Sequence, residues 1–199
     1  MKRFTPASTK ARLLGSVSVM ALMAGCGTPA QIAGSLAVSV IDNMGNNVSV
    51  GISVKSHNEK MYDWFYSQIG LREGLGALNN DEIVKMHSFT SLGPTDDSVP
   101  WCSSALNMAS AYAGITGTNS AMARSWEDWG VEVSLTEVVR GDVVVLWRGT
   151  PEATTGHVGL VHKVDIERGV VEILGGNQND EINISTYPLS RIVALRRAA

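Results

Sequence analysis

A thiol, an imidazole at the head of a strand and a carboxamide behind two glycines are the side chains here whose types can share covalent chemistry. The thiol is Cys102, in Val99-Pro100-Trp101-Cys102-Ser103-Ser104-Ala105-Leu106. Pro100 ends an extended segment, because its ring fixes φ and removes a donor. From Ser103 the pattern turns helical, with Leu106, Ala109 and Ala113 on one side and Gly114 as a stop. Cys102 is therefore expected in the first turn of a helix. There the free N–H groups and the macrodipole favour a thiolate and predict a lowered pKa. On the residue alone a second reading stands beside this one, a small buried hydrophobe.

A thiolate nucleophile needs a base, and the base needs a group to orient it. Of the four histidines, His57 lies at a domain margin and His87 in a helical stretch. His162 follows His157 by five residues on the same strand pattern, so it points to the other face. His157 opens that strand after Thr154-Thr155-Gly156. Gly159 shares its face and predicts open space beside the imidazole, a place for substrate. A strand-edge histidine satisfied by solvent is the alternative. Asn177 ends the next strand after Leu174-Gly175-Gly176. Its side-chain oxygen can accept from one imidazole nitrogen and leave the other facing the thiol, the role Asn plays in a Cys-His-Asn site. Taken alone, Gly-Gly-Asn-Gln-Asn is equally a good turn.

The elements that must position these groups divide the chain. Residues 27–56 are rich in Gly, Ser, Ala and Asn and hold no aromatic residue. Val38 and Val40, then Val48, Val50, Ile52 and Val54, alternate around Asn43-Met44-Gly45-Asn46-Asn47. Both a hairpin and an irregular tether fit that pattern. The folded domain is expected from about Asn58. Trp64, Phe65 and Ile69 fit a helix stopped by Gly70, and Asn80 or Asp81 caps a second helix carrying Ile83, Val84 and His87. Asp96 and Asp97 are read as turn and cap residues, since two carboxylates fall short of a calcium loop. A further helix is expected over Ala121 to Trp129, with Met122, Trp126 and Trp129 packed in the core. From Gly141 short β-branched runs take over: Val143–Trp147, His157–Val164, Val170–Leu174, Ile182–Tyr187 and Ile192–Leu195. Helices first and a strand meander after predict an α+β domain with an antiparallel sheet packed on helices.

The first 25 residues read as an export signal. Lys2, Arg3, Lys10 and Arg12 precede a short apolar run, Leu13 to Met23, too short to span a bilayer. Leu22-Met23-Ala24-Gly25-Cys26 resembles a bacterial lipoprotein box, with Met23 where Leu is usual. The resemblance implies that Cys26 becomes the lipid-bearing N-terminus of the mature protein, several acyl chains giving a stable anchor. Removing residues 1–25 takes away four cations and shifts the formal net charge from −3 to −7. An acidic chain of this kind is a poor nucleic-acid binder. With Cys26 acylated, Cys102 has no disulfide partner within the chain and is a free thiol in an oxidising compartment.

Four blocks now stand in order: Val99-Pro100-Trp101-Cys102-Ser103, Arg140-Gly141-Asp142-Val143-Val144-Val145, Gly156-His157-Val158-Gly159 and Leu174-Gly175-Gly176-Asn177-Gln178. Together they resemble the NlpC/CHAP-type cysteine peptidases of bacterial cell walls, over roughly residues 58–197. The resemblance implies a circularly permuted papain-like fold, with Cys102 as nucleophile, His157 as base and Asn177 as orienting residue. Many CHAP members carry Glu two residues before that Asn, where this chain has Gly175; many NlpC members use a second His, and none stands at the matching place. Asn177 is left with the role. The implied organisation is a signal over 1–25, a lipid anchor and tether over 26–57 and a catalytic domain over 58–199. The implied function is a lipid-anchored hydrolase of a peptidoglycan amide, in the stem peptide or at the muramoyl–alanine bond, needing no metal or cofactor. In a Gram-negative host the anchor would place it at the outer membrane. A non-catalytic wall-binding or scaffolding lipoprotein is the rival reading, and an antibacterial toxin or phage lysis factor of the same fold is a third.

Overall fold

The computed structural model describes residues 35–41, 47–76 and 78–199, with side chains from residue 54 onward. The expected signal segment and Cys26 lie outside the described residues. The chain divides into two compact units, 1–54 and 55–199.

In the first unit the hairpin alternative is the one observed. β1 (Ser35–Ile41) pairs antiparallel with β2 (Asn47–Ser53), Val38 opposite Val50 and Val40 opposite Val48.

The second unit is α+β. Among the described residues three α-helices precede a six-stranded antiparallel sheet. α1 (His57–Ser67) begins with a capping box: Ser56 accepts from the N–H of Glu59, and the Glu59 carboxylate accepts from the N–H of Ser56. α2 (Asp81–His87) is capped by Asn80, whose side chain accepts from the N–H of Glu82. α3 (Cys102–Tyr112) ends before Gly114, whose φ of +80° lets the chain turn away. The strands are β3 (Val131–Glu132), β4 (Val143–Trp147), β5 (Gly156–Asp165), β6 (Val170–Gly175), β7 (Asn183–Pro188) and β8 (Ile192–Arg197). Their spatial order is β3-β8-β4-β5-β6-β7. The meander therefore holds from β4 to β7, and β8 then returns to the far side of β4 rather than continuing beyond β7.

The helices bury one face of the sheet. Leu106 and Ala109 of α3, Met61 and Phe65 of α1 and Ile83 of α2 pack with Val143, Val145, Val158, Leu160 and Leu174. The alternate residues Val144, Leu146, Val161, Val171, Ile173 and Leu195 form a second, smaller apolar layer on the opposite face. Asp142 ties the layers together. Fully buried, its carboxylate accepts from Arg197 Nε and Nη2, Asn58 Nδ2 and the N–H of Val139. A buried carboxylate needs such partners, and here they join the start of α1 to β8.

Two expectations are corrected. The stretch read as a helix over Ala121 to Trp129 forms only a 3-10 turn, Ala123–Trp126. Trp126 is fully buried there and donates from Nε1 to Ser103 Oγ at 2.8 Å, whereas Met122 is 56% exposed and is no core residue. The run is punctuated by Ser120 and Ser125, whose hydroxyls bond nearby main chain and compete with a regular helix.

Candidate active site

Cys102 is the first residue of α3, and no side chain caps that helix. The N–H groups of Cys102 and Ser103 in the first turn of α3, and of Val158 in β5, favour the charged form of the thiol. Thiol and strand thus meet one residue past His157. Trp101, fully buried, fixes the approach to the helix: its Nε1 donates to Glu73 Oε1 at 2.9 Å.

The expected lowering of the thiol pKa is corrected. Cys102 is only 5% exposed, and burial raises its pKa above the ordinary value. The N–H groups of Val158, Ser103 and Cys102 and the charge of Arg148 pull the other way without reversing it. The helix position and the burial were both among the readings of Cys102 taken from the sequence, and it is the burial that disfavours the charged form.

His157 is fully buried at the head of β5, paired across the sheet with Leu146. Its Nε2 bonds Gln178 Oε1 at 3.0 Å. Which end of the Gln178 amide faces the ring is fixed by the other end. Nε2 of Gln178 donates to the carbonyl oxygens of Ile173, Gly175 and Asn183 and to Asn183 Oδ1, at 2.7 to 3.3 Å. All four are acceptors, so the amide oxygen must be the atom turned toward the imidazole. An oxygen only accepts, hence Nε2 of His157 carries the proton and Nδ1 carries the lone pair. Nδ1 is buried and bonds no partner, the thiol included. Burial pushes the imidazole pKa down to about 4, with Arg148 and Arg191 adding to the fall and Gln178 opposing it. At neutral pH the pair is a neutral thiol and a neutral base.

The orienting group is thus Gln178, where Asn177 was expected. Asn177 adopts φ 57° and donates from Nδ2 to Glu73 Oε1 at 3.1 Å. It is a turn residue, bonded to the same carboxylate that holds Trp101. Asn179 and Asp180 are also left-handed, with φ of 55° and 61°. Asn and Asp tolerate that region and Gln rarely visits it, so Gln178 is the odd residue in Asn-Gln-Asn-Asp. That was the available signal. Tyr187 completes the set: its hydroxyl donates to Gln178 Oε1 at 3.1 Å and its ring centroid lies 5.5 Å from that of His157.

The open space expected at Gly159 is absent. A Cβ there would fall 2.6 Å from Ile173 Cγ2 and 2.9 Å from the Leu174 carbonyl oxygen, so the glycine serves close strand packing. Gly175 is the residue beside the imidazole, where a Cβ would sit 3.5 Å from His157 Nε2.

The remaining histidines lie apart from this site. His57 Nδ1 bonds the Ala113 carbonyl at 2.9 Å, His87 Nδ1 bonds Ser104 Oγ at 3.0 Å, and His162 Nδ1 bonds the Tyr62 hydroxyl. A pocket lined by Lys55, Glu59, Tyr62, Asp63 and Arg140 shares no residue with the Cys102 site. Among the described residues no three His, Cys, Asp or Glu side chains gather as a metal site would require.

The second unit is therefore an α+β domain in which a thiol at a helix N-terminus meets the strand of a buried, oriented imidazole. No family model and no curated protein matches the chain. Among solved structures it is similar to a hypothetical invasion protein of Mycobacterium tuberculosis, at 16% identity and TM-score 0.45 over 71% of this chain and 61% of that one. It is also similar to the peptidoglycan hydrolase RipB of the same organism, at 17% identity and TM-score 0.43 over 71% and 64%. An NlpC/P60 family protein of Bacillus cereus matches at 15% identity and TM-score 0.43 over 81% and 50%. The chain thus spans between half and two thirds of each of these proteins.

Proposed function

We propose that this protein is a cysteine hydrolase that cleaves an amide bond of peptidoglycan, carried on a lipid attached at Cys26. The observation that carries the reading is the imidazole of His157, held as the Nε2–H tautomer by Gln178 with its Nδ1 lone pair free on the strand that meets the Cys102 thiol. The substrate class comes from the resemblance of the four sequence blocks to wall peptidases.

In the reaction His157 Nδ1 takes the thiol proton as Cys102 Sγ attacks the amide carbonyl. The developing oxyanion lies at the N-terminus of α3, where the N–H groups of Cys102 and Ser103 are donors. The imidazolium then protonates the leaving amine as the C–N bond breaks, giving an acyl-enzyme. Water, deprotonated by the same nitrogen, releases the acid and restores the thiol. Gln178 keeps the ring in the productive tautomer throughout.

The wall-binding alternative is favoured by one observation, the burial of both Cys102 and His157. Incubating the chain lacking residues 1–25 with peptidoglycan sacculi separates the two. Released fragments, identified by mass spectrometry and absent with Cys102→Ala, are expected. Equal release by the folded Cys102→Ala protein, or binding with no release, overturns the enzyme reading. Labelling of the full chain with a fatty acid, lost in Cys26→Ala, tests the anchor.

A further inference from the structure

One oxygen of Glu73 accepts two hydrogen bonds, one from each side of the Cys102 site. Trp101 Nε1 donates to Glu73 Oε1 at 2.9 Å, and Asn177 Nδ2 donates to the same atom at 3.1 Å. Trp101 precedes Cys102, and Asn177 precedes Gln178, whose amide bonds His157. A single carboxylate oxygen thus spans the start of α3 and the turn after β6. The indole nitrogen can only donate, and Trp101 is fully buried, so no water replaces a lost acceptor. Trp101 is also where α3 begins: its carbonyl accepts from the N–H of Ala105 at 2.9 Å. Side chains cap α1 at Ser56 and α2 at Asn80, whereas no side chain caps α3. The residue before its first turn is anchored instead by the indole, through Glu73.

Other bonds hold the loop that carries Glu73. The N–H of Gly70 donates to the Ile182 carbonyl at 2.9 Å, that of Ile182 to the Leu71 carbonyl at 2.8 Å and that of Glu73 to the Asp180 carbonyl at 2.9 Å. Arg72 pairs with Glu181. Just beyond, the buried Asp97 carboxylate accepts from the N–H groups of Gly74 and Asn80, both at 2.7 Å. Cutting back the Glu73 side chain therefore leaves its backbone tied, and the loss is confined to the two bonds at Oε1. Of these the Trp101 bond bears on Cys102, since Asn177 is a turn residue whose left-handed dihedral glycine adopts as readily. Because both bonds end on one oxygen, the carbonyl oxygen of a glutamine can accept them both. Neither bond needs the charge, and the charges that act on Cys102 and His157 are those of Arg148 and Arg191.

We propose that Glu73 is a positioning residue for the hydrolysis, holding the Trp101 indole so that α3 presents Cys102 at the strand of His157. The proposal rests on the hydrolase reading above and adds to it a residue that acts through Trp101 and not on the substrate.

Kinetics of the full chain on soluble muropeptides, which contain both candidate amide bonds, provide the test. Glu73→Ala is expected to lower kcat by about 10- to 100-fold, the cost of a small misplacement of a reacting group, and to leave KM nearly unchanged. Glu73→Gln is expected to restore most of the rate, with the pH profile of kcat/KM in its wild-type place. In Trp101→Phe, which has no N–H to hold, adding Glu73→Ala is expected to cost little more. A readout free of turnover is the Trp101 indole proton in NMR, whose exchange with water should quicken in Glu73→Ala and slow again in Glu73→Gln. Urea transitions establish that each variant is folded. Wild-type kcat in folded Glu73→Ala, equal losses in Glu73→Ala and Glu73→Gln, or additive losses with Trp101→Phe each overturn this inference alone. If Glu73→Ala fails to fold, Glu73→Asp decides, since it keeps the charge and draws the oxygen back by one methylene: a loss of kcat is expected, and wild-type kcat overturns the inference. No product from wild type overturns the hydrolase reading, and this inference with it.

Discussion

Gly176 lies against the indole of Trp101 so closely that a Cβ would fall 2.4 Å from Cζ3 and 2.8 Å from Cε3, with Ala105 Cβ at 3.2 Å. The turn that carries Gln178, bonded to His157, is thereby seated on the residue that precedes Cys102. Gly176→Ala should force the buried indole to move and destabilise the domain by about 1–3 kcal/mol, the usual cost of overpacking. Hydrolysis should fall as well, because Trp101 sets the start of α3. Urea unfolding and sacculus assays measure the two effects. An unchanged midpoint would show that the contact yields without cost.

Gln178 and Asn177 should separate cleanly although they are neighbours. Gln178→Ala leaves His157 Nε2 without its partner and should cost about 10- to 100-fold in rate, as loss of an orienting group does. Gln178→Glu places a carboxylate against the imidazole and should raise its titration above about 4, read by NMR of the ring protons. Asn177→Gly keeps the left-handed turn, gives up one bond to Glu73, and should cost no more than about 1 kcal/mol with activity nearly intact. The reverse ranking would return the orienting role to Asn177.

Acid should weaken the fold through His157. Its pKa is about 4 folded against 6.5 for an ordinary imidazole, so between these pH values the unfolded chain binds the extra proton. The neutral ring's contribution is fully present above pH 6.5 and is lost as pH falls toward 4, to a limit of order 3 kcal/mol. Burial also pushes His87 down, which adds in the same direction. Urea midpoints across this range should drop steeply for wild type and less steeply for His157→Gln. Parallel curves would remove His157 from the account.

Residues 55–199 should unfold as one cooperative unit when 1–54 are absent. The apolar residues that the helices and sheet bury all lie beyond residue 60, and Ser56 supplies the α1 cap from within the unit. Calorimetry of the shorter chain checks this. A broad, non-cooperative transition would assign the β1–β2 hairpin to the core.

Where the sequence was legible, a local rule carried the signal. Pro100 and the apolar spacing after Ser103 marked the start of α3, and short β-branched runs marked β4 and β5. Asn177 was misjudged because alternation stops where a strand enters a turn, and which neighbour points inward is then decided by left-handed dihedrals. The thiol pKa was misjudged because helix position is local while burial is a property of the whole packed domain. The return of β8 beside β4 was hidden for the same reason, since sequence order says nothing about which edge a later strand joins.

That return has a consequence for timing. β4 carries the partner of His157 and lies in the middle of the sheet, yet one of its two neighbours is made only with residues 192–197. The charge of Asp142, already buried in the finished domain, likewise waits for Arg197. During synthesis the helices and β4–β7 are present while the sheet is still open along β4 and one carboxylate is uncompensated. Non-local pairing of this kind is slow to form and leaves strand edges exposed until it does. The strand that pairs with the His157 strand therefore gains its second neighbour only once residues 192–197 have joined it.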